Sequence, residues 1–355
     1  MRNEKWYLAL SKTVIEFEKY KHSDNPEIRE ISLNWSMAVG LQQVDFLTPS
    51  EYLVGTAEQN IDGEITIDKV KERLDDHYKT KPAGNDGDRT EEADKVSARI
   101  AEILSERSFK FGPAEYIAIH KRLFSGSYKH AGKIRDYNIT KAEWVLDGKS
   151  VYYANADTIK ATLDYDLSQE KNFQYKGLSK EQTAEHFAKF ISGLWQIHAF
   201  GEGNTRTTAV FAIKYLRTLG LDLTDDTFSE NSWYFRNALV RANYNDLKNG
   251  IFSTMKYLDR FFGNLLLGEK NVLRNRDMHV SVITDDGVND GVKLSKTEME
   301  IIKSLRNNGH LTAQNLAEEL GVYIRTIERG LKKLKDASII ERIGSDRSGE
   351  WKVLK

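Results

Sequence analysis

The chain has 355 residues, 52 Lys and Arg against 53 Asp and Glu, a net charge of −1 and no cysteine. It is long enough for two or three domains with cores of their own, and its balanced charge excludes a chain-wide basic field for nucleic acid. The lack of cysteine excludes disulfides, thiolate nucleophiles and Cys-ligated zinc. The charge-broken start "MRNEKWYLALSKTVIEFEKY" and the lack of any long uncharged apolar window give the expectation of a soluble, cytoplasmic protein with no membrane partner.

Only 4 prolines, and Leu, Ile, Glu and Lys recurring at helical spacing, predict a mainly α protein. The first break is "HYKTKPAGNDGDRT" (77–90), polar and marked by Pro82, Gly84 and Gly87, which reads as a linker. Amphipathic helices follow at "RTEEADKVSARIAEILSERSF", "GPAEYIAIHKRLF" and "SKEQTAEHFAKFISGLWQIH", and a further one at "TTAVFAIKYLRTLG" stops at Gly220. Between the second and third lies "YNITKAEWVLDGKSVYYA" (137–154). Thr140, Trp144, Val145, Val151, Tyr152 and Tyr153 are strand formers there, and Asp147-Gly148 between them is a hairpin turn signal. A second break, 275–295, mixes a short β-like run with an acidic, glycine-bearing stretch.

The densest chemistry sits at "QIHAFGEGNTRTTAVFAIKYL" (196–216), a loop running into a helix. A helix N-terminus presents unpartnered N–H groups and partial positive charge, which suits phosphate. Gly203 permits close approach of an anion, and Asn204, Thr205 and Arg206 add donors. Glu202 is acceptor-only and would repel a bare phosphate, so a hard cation such as Mg²⁺ bridging the two is implied. His198 has the ordinary pKa for removing a proton from a hydroxyl near neutral pH. Any one of these residues alone is most simply structural; their joint occurrence carries the reading.

In order and spacing, His198, Phe200, Glu202, Gly203, Asn204 and Arg206 resemble the Fic family motif His-x-Phe-x-Asp/Glu-Gly-Asn-Gly-Arg-x-x-Arg, and the resemblance extends over about 111–262. It implies a Fic helical bundle with a β-hairpin flap at 137–154, and transfer of AMP from ATP to a Ser, Thr or Tyr hydroxyl of a target protein. His198 would be the base, Glu202 would hold Mg²⁺, and Gly203, Asn204, Thr205 and Arg206 would cradle the phosphates. Thr140, Trp144 and Val145 of the flap would bind the target as an added strand. Two positions depart from the motif: Thr205 replaces its third glycine, and Ala209 replaces its last arginine. In the family that arginine grips the γ-phosphate, so its loss implies weaker ATP, a contact from another residue, or a different nucleotide. Transfer of UMP, a phosphoryl group or phosphocholine by the same site is an alternative, as is a DNA-binding regulator whose Fic core senses nucleotide.

The stretch 41–78 resembles the small antitoxin domains found beside Fic domains, whose inhibitory Glu pairs with the last motif arginine. Leu41, Asp45 and Phe46 occupy the signature positions here, so with Ala209 in place of the arginine no charge lock is expected, only a structural helix that shades the site. The C-terminal order is a helix opening on Ser295-Lys-Thr-Glu298, a helix at 312–320, a turn at Gly321, a helix at 323–336 and two β-like runs about Gly344-Ser345. It resembles a winged helix-turn-helix. Residues 293–355 carry 13 Lys and Arg against 9 Asp and Glu, a net of +4. Tyr323, Arg325, Thr326 and Arg329 would face a DNA groove, with Arg342 and Arg347 near the wing; docking of protein, or a homodimer, is the alternative. The expected domains are 1–90 (antitoxin-like region and linker), 91–274 (Fic), 275–291 (linker) and 292–355 (winged helix).

Overall fold

The computed structural model describes residues 17–80, 89–221, 227–280, 296–336, 339–344 and 349–354. The chain divides into two compact units, one up to Asn275 and one from Arg276. Among the described residues no helix is long and apolar enough to cross a membrane.

The first unit is a helical assembly: α1 (Pro26–Gly40), α2 (Glu51–Ile61), α3 (Ile67–Thr80), α4 (Thr90–Ser105), α5 (Pro113–Phe124), α6 (Ile159–Asn172), α7 (Lys180–Ile197), α8 (Asn204–Thr218), α9 (Thr227–Ala242) and α10 (Lys256–Leu267). Local signals set the boundaries. Asn25 and Ser50 cap α1 and α2, and Ser179 with Gln182 forms a capping box on α7. Helix α8 ends before Gly220, which takes φ +72°, as its sequence predicts. The expected linker at 77–90 begins later than its polarity suggests, because α3 continues to Thr80. His77 lies flat against Tyr52 at 4.0 Å, an aromatic contact the loop reading overlooked. Pro82, Gly84 and Gly87 lie outside the described residues.

Helix α8 is the centre of this unit, buried from Asn204 to Leu216. Its far end fastens α4 and α1: Lys214 Nζ donates to the carbonyl of Ile103 at 3.1 Å, and Arg217 donates to the carbonyl of Leu104 and to Asn34 Oδ1 of α1. These cations complete the free carbonyl end of α4, where positive charge is favoured. Phe111, Phe187, Phe211 and Tyr215 pack as an aromatic cluster around the middle of α8. The rigid core therefore holds the N-terminus of α8 at a fixed place.

Residues 137–154 do not form the expected β-hairpin. The chain reverses where the Asp147-Gly148 signal placed it, with both residues at positive φ, and Glu143 N–H donates to the carbonyl of Lys149 at 3.0 Å. No ladder follows. Trp144–Leu146 wind into a 3-10 turn that buries Val145 and Leu146, and Lys141 N–H bonds the Ser150 hydroxyl at 3.0 Å instead of a backbone carbonyl. Burial of two successive apolar residues on one side breaks the alternation a strand requires.

The second unit contains α11 (Lys296–Asn307), α12 (Ala313–Leu320), α13 (Ile324–Asp336) and the antiparallel strands β1 (Ile340–Ile343) and β2 (Glu350–Val353), with Ile340 opposite Val353. Ile301, Leu305, Leu316, Ile327, Leu331, Leu334, Ile339 and Ile340 form its core. Thr312 caps α12 in a box with Asn315, and Gly321 at φ +64° makes the turn into α13. Ser295, Ser345 and Arg347 lie outside the described residues.

Candidate active site

The site is built on the break between α7 and α8. His198 ends α7 with φ +51°, a left-handed conformation that a non-glycine residue adopts only when its surroundings hold it there. Arg135 supplies much of that hold: its N–H donates to the carbonyl of Ala199 at 3.0 Å and its Nε to that of His198 at 2.8 Å. The same guanidinium reaches the carbonyls of Tyr137 and Ala154, so one buried arginine fastens the histidine and both ends of the flap. The sequence reading missed Arg135, since a loop arginine bonded to carbonyls leaves no spacing signal.

His198 is 3% exposed, and neither ring nitrogen has a hydrogen-bond partner among the described residues. Tyr153 of the flap covers it with ring centroids 4.0 Å apart, and Trp195 meets it edge-on at 5.4 Å. Burial, then the positive charges of Lys141, Arg236 and Arg135, push its pKa well below the ordinary value. The imidazole is thus neutral at neutral pH with both nitrogens unused, the form a general base needs.

The following loop holds itself. Asn204 donates from Nδ2 to the Phe200 carbonyl at 2.7 Å and accepts the Phe200 N–H at Oδ1 at 2.9 Å. Thr205 accepts from Trp195 Nε1 at 3.0 Å. Both side chains were expected to face phosphate; both instead serve the loop. Gly203, at φ +75°, begins α8, and no side chain caps that N-terminus. A Cβ there would lie 2.3 Å from the Phe124 ring, so only glycine fits. What this leaves for an anion is backbone N–H groups at an uncapped helix start.

Beneath the loop, buried His120 stacks on Phe200 at 3.7 Å. Gly132 N–H donates to its Nδ1 at 2.8 Å, so the proton sits on Nε2, which donates to the Glu202 carbonyl at 3.0 Å. Burial lowers its pKa to about 4, which keeps this tautomer in place at neutral pH. The helical reading of "IHKRLF" assigned it no role.

Arg206 is fully buried, under a Phe124 ring 4.8 Å away. Its Nη atoms contact Gln42 Oε1 at 3.0 Å, Asp45 and Glu92 each at 2.8 Å and the Tyr128 hydroxyl at 3.0 Å. Burial opposes its charge, but Asp45, Tyr128 and Glu92 outweigh burial and raise its pKa. The expectation that Asp45 has no arginine to pair with is therefore corrected: it pairs with the first motif arginine. Ala209, in place of the last one, is fully buried. Leu41 is buried, whereas Phe46 is half exposed and lies 4.3 Å from the Trp233 ring.

Glu202 extends outward, and its Oε2 lies 3.0 Å from Lys141 Nζ of the flap. Further along the flap, buried Glu143 meets Arg236 of α9 at 2.6 Å and accepts from the Tyr153 hydroxyl at 3.2 Å. Of the residues expected to bind a target, Thr140 and Trp144 are exposed but Val145 is fully buried and unavailable. A cavity of about 620 Å³ opens beside the flap, lined by Thr140, Ser150, Tyr152, Tyr244 and Asp246 among others.

Among the described residues no cluster of three His, Cys, Asp or Glu could hold a metal by itself. One outward carboxylate beside an anion cradle nevertheless suits Mg²⁺, which is commonly held by one or two carboxylates together with substrate phosphates and water.

A buried imidazole thus stands six residues ahead of a helix N-terminus that no described side chain caps. Residues 110–216 match the Fic/DOC family, and residues 294–341 match winged helix-turn-helix DNA-binding domains. Two separate stretches of the chain thus match known domain families, the first containing His198 and the loop that follows it. It is 27% identical over 191 residues to a protein adenylyltransferase of Bartonella henselae, covering 51% of this chain and 33% of that protein. It is 28% identical over 119 residues to the protein adenylyltransferase VbhT of Bartonella schoenbuchensis, covering 34% and 24%. The matched region thus spans a third or less of either relative's length. The crystal structure of a Fic family protein from Desulfovibrio desulfuricans G20 aligns over 97% of this chain and 95% of that one, with 15% identity and a TM-score of 0.45.

In the second unit, Tyr323, Arg325, Thr326 and Arg329 are all exposed at the start of α13, Tyr323 at 89%. Arg342 of β1 lies over the Trp351 ring at 5.0 Å, packed on the wing.

Proposed function

We propose that the protein is a Fic-type protein adenylyltransferase that moves AMP from ATP to a Ser, Thr or Tyr hydroxyl of a target protein. The observation that carries this reading is His198, desolvated, neutral and unpartnered, six residues before the helical start at Asn204. In the reaction His198 takes the hydroxyl proton, the hydroxyl oxygen bonds to the α-phosphorus, and the bond to the β-phosphate oxygen breaks to release pyrophosphate. The backbone N–H groups of 203–206 bind the donor's negative charge. Glu202 would hold Mg²⁺, which when bound offsets charge on the phosphates. Arg206 reaches phosphate only by leaving Asp45 and Glu92. The name of the Bartonella relatives supports the choice of AMP over other groups.

The test is incubation with ATP, GTP, UTP and CTP, each labelled at the α-phosphate, and detection of protein-linked label. Label from ATP is expected, with His198→Ala losing about 10²–10⁴-fold in rate while ATP binding stays near wild type. Transfer by His198→Ala at the wild-type rate overturns the assignment. A second activity, DNA binding through α13, is supported by the exposure of Tyr323, Arg325, Thr326 and Arg329 together. Its signature is affinity that falls steeply with salt and weakens in Arg325→Ala and Arg329→Ala.

A further inference from the structure

The cradle at the start of α8 raises a question of charge. Its own arginine, Arg206, is buried with its Nη atoms on Asp45, Glu92, Gln42 and Tyr128. Asn204 and Thr205 spend their side chains on the loop. Glu202 adds a negative charge at the rim. A polyphosphate entering here meets backbone N–H groups and a carboxylate, and needs a cation whose partners are few and exposed.

Lys141 meets that need. Its Nζ bonds Glu202 Oε2 at 3.0 Å, and Glu202 is 52% exposed, so exchange of this partner costs little. The lysine is not carried on a loose loop. Lys141 N–H is tied to Ser150, Glu143 N–H to the Lys149 carbonyl, and the Glu143 carboxylate to Arg236, while Val145 and Leu146 are buried below. The flap's broken ladder thus yields a stiff turn that suspends an ammonium over the loop. The positive charge is felt at His198, and the group at the end of the lysine stem is long enough to pass from the carboxylate to a phosphate oxygen beside it.

We infer that Lys141 is the phosphate-binding cation of this site, paired with Glu202 when no anion is present and transferred to the donor's polyphosphate when one binds. The inference rests on the reading of the loop as a nucleotide site, but it concerns the anion and not the base or the transferred group.

The test uses the full chain in metal-free, low-salt buffer, with calorimetric titration of tripolyphosphate, ATP and adenosine into wild type, Lys141→Met, Lys141→Arg and the double variant Lys141→Met/Glu202→Gln. Lys141→Met is expected to weaken tripolyphosphate and ATP about tenfold to a hundredfold and adenosine less than about twofold, with Lys141→Arg close to wild type. Wild-type affinity of Lys141→Met for both anions overturns the inference. So does recovery of wild-type affinity in the double variant, since the lysine would then only mask Glu202. An equal loss for adenosine, or a large drop in melting temperature, would assign Lys141 to the fold and also overturn it. If tripolyphosphate binding depends on Lys141 but no label is transferred from ATP, the lysine's role stands and adenylyl transfer falls. If transfer occurs and Lys141→Met binds ATP normally, the reverse holds. If wild type binds neither anion, both fall.

Discussion

The loop from His198 to Gly203 and the flap from Tyr137 to Ala154 face each other across the site and solve the same problem in opposite ways. The loop's backbone is held by side chains from its flanks, Asn204 of α8 on Phe200 and His120 of α5 on the Glu202 carbonyl, and the N–H groups at the start of α8 are left without a side-chain cap. The flap closes its backbone in a short turn and is fixed by side chains reaching outward, Glu143 to Arg236 and Arg135 to its two ends. One element offers backbone to chemistry and the other offers side chains. A motif residue near a ligand site can therefore be essential without pointing at the ligand.

Breaking the flap's anchor is expected to have the largest effect. Glu143→Ala leaves the Arg236 guanidinium facing a void, and loss of one partner of a buried pair costs about 3–5 kcal/mol. The melting temperature should fall by roughly 5–10 degrees, or the chain should fail to fold; Glu143→Gln, which keeps shape and some hydrogen bonding, should lose less. A change below about 1 kcal/mol in both would mean the flap is held by Val145 and Leu146 alone. Breaking the loop comes next. Gly203→Ala must relieve a contact at 2.3 Å with Phe124 and strain at positive φ, together roughly 2–4 kcal/mol. On the proposed function the displaced backbone carries the anion's donors, so ATP affinity should fall even where the chain remains folded. Phe124→Leu in the Gly203→Ala background should restore part of both, and a failure to do so would place the cost elsewhere.

The difference between the two elements also explains what the sequence disclosed. Helices announce themselves through periodicity and caps, so α4, α5, α7 and α8 stand where "RTEEADKV", "GPAEYIAI", "SKEQTAEH" and "TTAVFAIK" place them, α8 beginning three residues earlier at Asn204. The winged helix is equally legible, from the Thr312 cap to Gly321. His198 and the loop were legible because a tight constellation survives as a string. The flap misled, because Thr, Trp, Val and Tyr have strand propensity while burial of Val145 beside Leu146 overrides it. Arg135, His120 and Lys141 act through contacts 61 to 82 residues distant in the chain, and no local pattern encodes those. The pairing of Asp45 with Arg206 was missed for the same reason: the motif directed attention to position 209, whereas packing brought the carboxylate to 206.

That pairing gives a smaller, sharper test. Asp45→Ala removes one carboxylate from Arg206 but leaves Glu92, Gln42 and Tyr128 in place, so the expected loss is on the order of 1 kcal/mol. Glu92→Gln alone should cost a similar amount, and the double variant should cost more than the sum, because only then is the buried guanidinium without any anion. Additive losses would show that the two carboxylates act independently and that Arg206 is not their common partner.

The smallest expected effect concerns the base. The pKa of His198 is lowered by burial first and then by Lys141, Arg236 and Arg135. Only the neutral ring can accept a proton, so transfer should decline as pH falls through this lowered value, placing the acidic limb of the kcat/KM profile below pH 6.5. Lys141→Met removes one of the three positive charges. The protonated ring is then less disfavoured, its pKa rises, and the limb moves to higher pH, by less than about one unit because burial is the leading cause and stays in place. The profile is normalised to its plateau, so weaker donor binding changes its height and not its midpoint. An acidic limb at or above 6.5 in the wild type would mean that His198 is solvated during turnover. A limb that moves to lower pH in Lys141→Met would mean that the lysine reaches His198 through the flap's conformation and not through its charge.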